Sequence, residues 1–312
     1  MGFQAKKAKR EKIYVKIALM APSGGGKTYG SLRLSKGMAE EIEKETGKKA
    51  RILFANTEAK RGYYYANEFD YDIVDIDPPH NPEKYVELIE FAVNEGYDIL
   101  IIDSASHEWE GKGGCLELQQ QAGGTYQSWA RVTPRHAKFV NAIADSPIHV
   151  IATMRGKDQY EMTKDDRGKT AVQKLGIGAR QREGFEYDFS VTFLIDQKTN
   201  TAEVQKDNTH IFENEGPTIL SETHGKKIIQ WANLGEGYTP IVRKPEEDVI
   251  DVATDDLKSI KSQIIEAAKA AGGSGNETVM ATIREFAPSG NPNSIKDIEK
   301  AKELLSRLKA LA

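Results

Sequence analysis

The chain has 312 residues, 39% of them hydrophobic and 29% charged, and 43 basic against 47 acidic side chains leave a formal charge of −4. That is room for about two domains with a sizeable core, and the balance excludes a disordered chain, a collagen and a disulfide-stapled miniprotein. Near-neutral net charge decides nothing about nucleic acid, because a local basic patch neutralises phosphates whatever the rest of the surface does.

In chain order, residues 1–13 form a basic tail; the first 12 carry five basic side chains and one acid. The opening MGFQAKKAKREK lacks the apolar stretch of a secretory signal, and the single cysteine, Cys115, has no partner for an internal disulfide, so a reducing, cytoplasmic setting is expected. No apolar run reaches the roughly 18 residues that span a bilayer, and Lys6 stands where myristoylation takes Ser or Thr; no membrane partner is expected. From 14 to 234, short apolar runs alternate with helix-like segments, which predicts an α/β core around a mixed, mainly parallel sheet. Strands are predicted at Tyr14 to Met20, Arg51 to Ala55, Asp98 to Ile102, His149 to Met154, Tyr187 to Ile195 and Ala202 to Gln205. The last two flank Lys198-Thr199-Asn200 as an antiparallel edge hairpin. A helix is predicted from Lys27 to about Glu45, with Leu32, Leu34, Met38 and Ile42 as its stripe. Residues 235–250, with two prolines and no stable period, are the expected linker. Residues 251–312 are expected to form a small helical appendix in which Ser294 caps the last helix, Asp297 standing three residues on.

Two motifs carry chemistry. Ala21 to Thr28, A-P-S-G-G-G-K-T, fits the phosphate-loop pattern with alanine at the first glycine position, between a strand and a helix. Ser23, Gly24, Gly25 and Gly26 allow the backbone to approach phosphate oxygens, Lys27 reaches the β and γ phosphates, and Thr28 offers its hydroxyl to Mg²⁺. D-I-L-I-I-D-S, from 98 to 104, is a buried-strand run whose terminal Asp103 is the expected magnesium partner. ATP and Mg²⁺ are therefore the expected cofactors. Hydrolysis also needs a group that orients water, and two glutamates compete on spacing: Glu58 in F-A-N-T-E and Glu108 in D-S-A-S-H-E-W.

The order A-P-S-G-G-G-K-T, F-A-N-T-E, I-I-D-S resembles the ATPase core of the RecA and RadA recombinases. The D-S-x-S-H-x-W version with a downstream Arg-x-Lys resembles their compact phage relatives that pair or anneal single-stranded DNA. The resemblance covers about residues 14–210 and implies a RecA-like P-loop fold, a homo-oligomer as ring or filament, recombination partner proteins, and a phage-encoded protein in the host cytoplasm. It implies Glu58 as the base and Tyr65, seven residues on, as the adenine-stacking ring. Where the family carries a glutamine sensor this chain has Ala152-Thr153-Met154-Arg155-Gly156-Lys157, so Arg155 or Lys157 is either a cationic sensor or a solvated basic residue. Lys206 matches the lysine-bearing strand that reaches a neighbouring subunit's ATP, or is an exposed hairpin-end lysine.

The connection from Arg155 to Glu186 is expected as a long loop. Its stretch from 167 to 182 holds Arg167, Lys169, Lys174, Arg180 and Arg182 and no acid, which suits the backbone of single-stranded DNA, an oligomer contact, or plain solvent. Tyr126 and Trp129 are expected as packing groups, His107 as structural or nucleotide-coupling, and Cys115 as inert. The expected function is a DNA-associated ATPase of recombination or annealing. The alternatives are a packaging or remodelling motor, a small-molecule kinase, or a nonhydrolytic ATP-gated adaptor.

Overall fold

A computed structural model describes residues 5–164, 170–238, 252–295 and 297–311. Its elements in chain order begin with β1 (Lys16–Ala21), α1 (Lys27–Thr46), β2 (Ile52–Asn56), β3 (Asp72–Asp75), α2 (Pro82–Asn94), β4 (Ile99–Asp103) and α3 (Ser106–Glu110). There follow α4 (Cys115–Gln121), α5 (Trp129–Asp145), β5 (His149–Lys164), β6 (Thr170–Ala179), β7 (Val191–Ile195), β8 (Ala202–Asp207) and α6 (Glu222–Ala232). A second compact unit, Val242–Ala312, contains α7 (Val252–Ala270), α8 (Glu277–Phe286) and α9 (Ile298–Lys309).

The sheet of the first unit runs β3-β2-β4-β5-β1-β7-β8, parallel throughout except for β8, which returns antiparallel to β7. The run-like strands β1, β2 and β4 are buried at every position because helices cover both faces. Side chains alternate between the faces: Ile17, Leu19, Ile99 and Ile101 join Leu34 and Met38 of α1 and Ile228 of α6. Ala18, Met20, Leu100 and Ile102 join Leu88 of α2 and Phe139 of α5 on the other side. Helices α1 and α6 touch backbone to backbone. A Cβ at Gly37 would stand 1.9 Å from the Glu222 carbonyl oxygen, and one at Gly225 would stand 2.1 Å from that of Leu34. Short caps fix helix starts: Asn81 accepts from the Lys84 amide ahead of Pro82, and Ser221 and His224 form a capping box on α6.

The expected loop between Arg155 and Glu186 is a correction. Strand β5 continues past the sheet and pairs antiparallel with β6, from Gly156 opposite Ala179 to Lys164 opposite Thr170, making a β-ribbon arm. The physical reason is in the residues: Tyr160, Met162 and Thr163 on one side and Thr170, Val172, Leu175 and Ile177 on the other favour extended backbone, and cross-strand pairing satisfies the amides a loop would leave to water. Strand β7 starts at Val191, later than expected, because Phe185–Asp188 turns as a 3₁₀ helix. The short edge strand β3 and helices α2 and α5 complete the layers.

In the second unit Ile264, Val279, Ile283, Ala301, Leu304 and Leu308 pack into one core. Ser294 lies in a separate 3₁₀ turn, Pro292–Ser294, and it is Asp297 that caps α9, its carboxylate and carbonyl accepting from the Lys300 and Ala301 amides. Residues 239–250 of the expected linker lie outside the described residues. Among the described residues no helix is long and apolar enough to cross a membrane.

Candidate active site

The C-terminal ends of β1, β2, β4 and β5 open onto one cleft of about 590 Å³. On its floor, the loop after β1 turns through Gly24 and Gly26 at φ of 79° and 81°, left-handed values that cost glycine little. Gly25 is turned inward, where a Cβ would meet that of Ala21 at 2.7 Å, so it shapes the loop without lining the cleft. The Lys27 ammonium is buried and donates to the carbonyls of Ala21 and Pro22 at 3.0 and 3.1 Å. Burial pushes its pKa down, against the opposing pull of the Asp103 and Glu58 charges.

Thr28 donates its hydroxyl to Asp103 Oδ2 at 2.6 Å, and Thr153 donates to Asp103 Oδ1. Strand β5 lies between β1 and β4, which places the Thr153 hydroxyl beside the carboxylate. Burial raises the Asp103 pKa, with the two hydroxyl bonds opposing. The Thr28 hydroxyl at the start of α1 and the Asp103 carboxylate at the end of β4 are hard oxygen donors that suit Mg²⁺, while the left-handed glycine loop and the Lys27 ammonium suit a phosphate chain, so this set fits the expected pair of ligands.

The opposite wall is charged. Glu58, just past β2, accepts at Oε1 from Arg155 Nε (2.9 Å) and Nη2 (2.7 Å) and at Oε2 from Arg61. Burial pushes its carboxyl pKa up, but the Arg155 hydrogen bonds and the charges of Arg155 and Arg61 prevail and hold it below its ordinary value. Tyr65 lines the cleft with Tyr29 and Tyr64, and the Tyr29 and Tyr65 rings lie 5.4 Å apart.

Several predicted residues are placed elsewhere. Glu108 is fully buried away from the cleft, where Cys115 Sγ donates to it at 3.0 Å, His136 Nδ1 lies 3.0 Å away and Gln181 donates at 3.2 Å. It therefore leaves Glu58 as the only one of the two competing glutamates that lines the cleft. Lys157 is exposed and outside the cleft lining, whereas Arg155 is in it. Arg180 lines the cleft too, beside Glu110, although the sequence placed it with the DNA contacts. Arg182 borders a separate groove with Asn141 and Asp188. Lys174 belongs to β6, while Arg167 and Lys169 lie outside the described residues. Lys206, on the edge strand, donates to the Tyr187 carbonyl.

Trp129 packs, stacked 5.3 Å from Trp109, but Tyr126 is 89% exposed, a correction to its expected packing role. His107 bonds Thr57 through Nδ1 and stacks on His80; burial first and then Arg155 lower its pKa to about 4, so the ring is neutral near pH 7. Sequence reasoning missed Thr153, Arg61 and Glu110. Thr153 had a signal, a polar residue within an apolar strand beside the acid-bearing one, whereas Glu110 ends the short helix α3 and Arg61 begins a 3₁₀ turn, neither of which was expected from the sequence.

The AAA domain family matches residues 13–225, and the chain belongs to that family, with a P-loop ATPase-type domain built on a mixed, mainly parallel sheet. No curated protein matches the chain.

Proposed function

We propose that this AAA domain is a Mg²⁺-dependent ATPase of RecA-like type that acts on single-stranded DNA as a homo-oligomer, in recombination or strand annealing. The observation that carries the reading is the convergence of Lys27, Thr28 and Asp103 on one cleft that Glu58 also lines. Lys27 and the loop amides hold the phosphate chain; Lys27 is already desolvated, so its charge acts with little screening. Thr28 and Asp103 hold Mg²⁺, which when bound neutralises charge on the phosphate oxygens. Glu58 orients and polarises the attacking water, and Tyr65 offers its ring to the base. The RecA-like assignment is supported by the motif order on β1, β2 and β4. The DNA assignment is supported by the acid-free sequence from 167 to 182, whose basic residues other than the cleft-lining Arg180 are Arg167, Lys169, Lys174 and Arg182.

Turnover of ATP, followed as released phosphate with and without single-stranded DNA, tests the reading. The wild-type chain should hydrolyse ATP faster with DNA, and Glu58→Gln should keep nucleotide binding while losing about 10²- to 10⁴-fold in rate. Turnover unchanged by DNA, together with no binding at low salt, removes the DNA role. Unchanged turnover in Glu58→Gln removes the base assignment, and phosphate transferred to an acceptor makes the protein a kinase instead.

A further inference from the structure

We propose that Arg155 and Arg180, at the root of the arm, form a latch: each is held by a carboxylate in the place a terminal phosphate would take, and a triphosphate that draws them off frees Glu58 to act on water. This rests on reading the cleft as an ATP site.

The geometry supplies the parts. The Arg155 guanidinium meets Glu58 Oε1 through two nitrogens, a fork that suits a phosphate as well as a carboxylate. With Arg61 on its other oxygen, Glu58 has both oxygens engaged by cations, which makes it a poor acceptor for a water proton. Glu110 is the second holder. Its Oε2 lies 3.4 Å from Arg180 Nη1 and its Oε1 lies 3.9 Å from Arg155 Nη1. The Arg155 side chain is 37% exposed and that of Arg180 is 50% exposed, so these pairs are weak enough to be exchanged.

The two arginines also bracket the arm. The Arg180 amide donates to the Arg155 carbonyl at 2.6 Å, and the Arg155 amide takes Ser106 Oγ as acceptor at 2.9 Å. Gly156 lies against the phosphate loop so closely that a Cβ would stand 3.0 Å from the Ala21 carbonyl carbon and 3.1 Å from the Pro22 nitrogen. A displacement of the arm root would carry the Arg155 and Arg180 backbones with it, and through them the guanidiniums that hold Glu58 and Glu110. The latch reads the third phosphate, which a diphosphate does not offer.

The test is the ratio of ATP to ADP affinity of the full chain with Mg²⁺, in wild type, Glu110→Gln, Arg180→Gln and the double variant. Glu110→Gln should raise the preference for ATP about two- to fivefold by freeing the arginines, and Arg180→Gln should lower it, with ADP affinity unchanged in both. In the double variant the gain from Glu110→Gln should shrink to the part carried by Arg155, whose Nη1 also lies 3.9 Å from Glu110. A gain undiminished in the double variant reduces Glu110 to a bystander charge, and a ratio unmoved by either substitution removes the latch. Loss of ADP affinity along with ATP affinity in the variants marks a merely structural role and also overturns it. A wild-type chain that binds neither nucleotide overturns the ATP reading beneath it, an outcome distinct from the others.

Discussion

The two walls of the cleft are built from different interactions. On the phosphate-loop side, Asp103 is buried and bonded by the neutral hydroxyls of Thr28 and Thr153, and Lys27 is buried against loop carbonyls. On the arm side, Glu58 and Glu110 are bound by guanidiniums that stay partly exposed. Breaking a buried bond to a charged group costs the full desolvation penalty, whereas a solvent-reaching ion pair contributes little and can be traded. One wall is thus fixed in advance for its ligand, and the other is arranged to change partners.

Substitutions that act on one wall alone sharpen this contrast. Thr153→Val keeps the strand and its volume but removes a hydroxyl that orients Asp103. Mg²⁺ affinity in the presence of ATP should fall about 10- to 100-fold, read by metal titration of turnover, since groups that orient a metal-binding carboxylate carry effects of that size. Unchanged Mg²⁺ dependence would mean that Asp103 needs no fixing and that the contrast is false. A smaller effect is expected opposite, at Arg155→Gln, and it is one of pH. The working form of Glu58 is the carboxylate, so kcat/KM falls as pH drops through the pKa of the free protein. In the wild type that pKa lies below its ordinary value because Arg155 and Arg61 outweigh burial. Without Arg155, burial has less opposition and the acid limb should move to higher pH. A limb that stays in place would separate Arg155 from Glu58 in solution.

The buried wall was the legible one. A glycine-rich loop between a strand and a helix can fold in few ways, and a continuous apolar run ending in an acid places Asp103 on a central strand, so Lys27, Thr28 and Asp103 could be joined from sequence alone. The competition between Glu58 and Glu108 could not be settled by spacing. It depends on α3 turning Glu108 inward onto Cys115 and His136, and His136 is 28 residues away in the chain. The arm was misread because length and charge suggested a loop, while the β-formers on either side of residues 165–169 were the better signal. Arg180 shows the same limit: its place beside the cleft follows from the register of β6 on β5, which brings Ala179 opposite Gly156. Charge pattern identified the segment as basic, but pairing decides which of its cations reach the cleft.

The central claim is that one cleft binds MgATP through Lys27, Thr28 and Asp103. Calorimetric titration of ATP into the wild-type chain and into Lys27→Ala, each with and without Mg²⁺, tests it most directly. The account predicts Mg²⁺-dependent binding of one nucleotide per chain in the wild type and its loss in Lys27→Ala, with the fold retained by circular dichroism. Equal affinity in the two proteins, or binding indifferent to Mg²⁺, would contradict it.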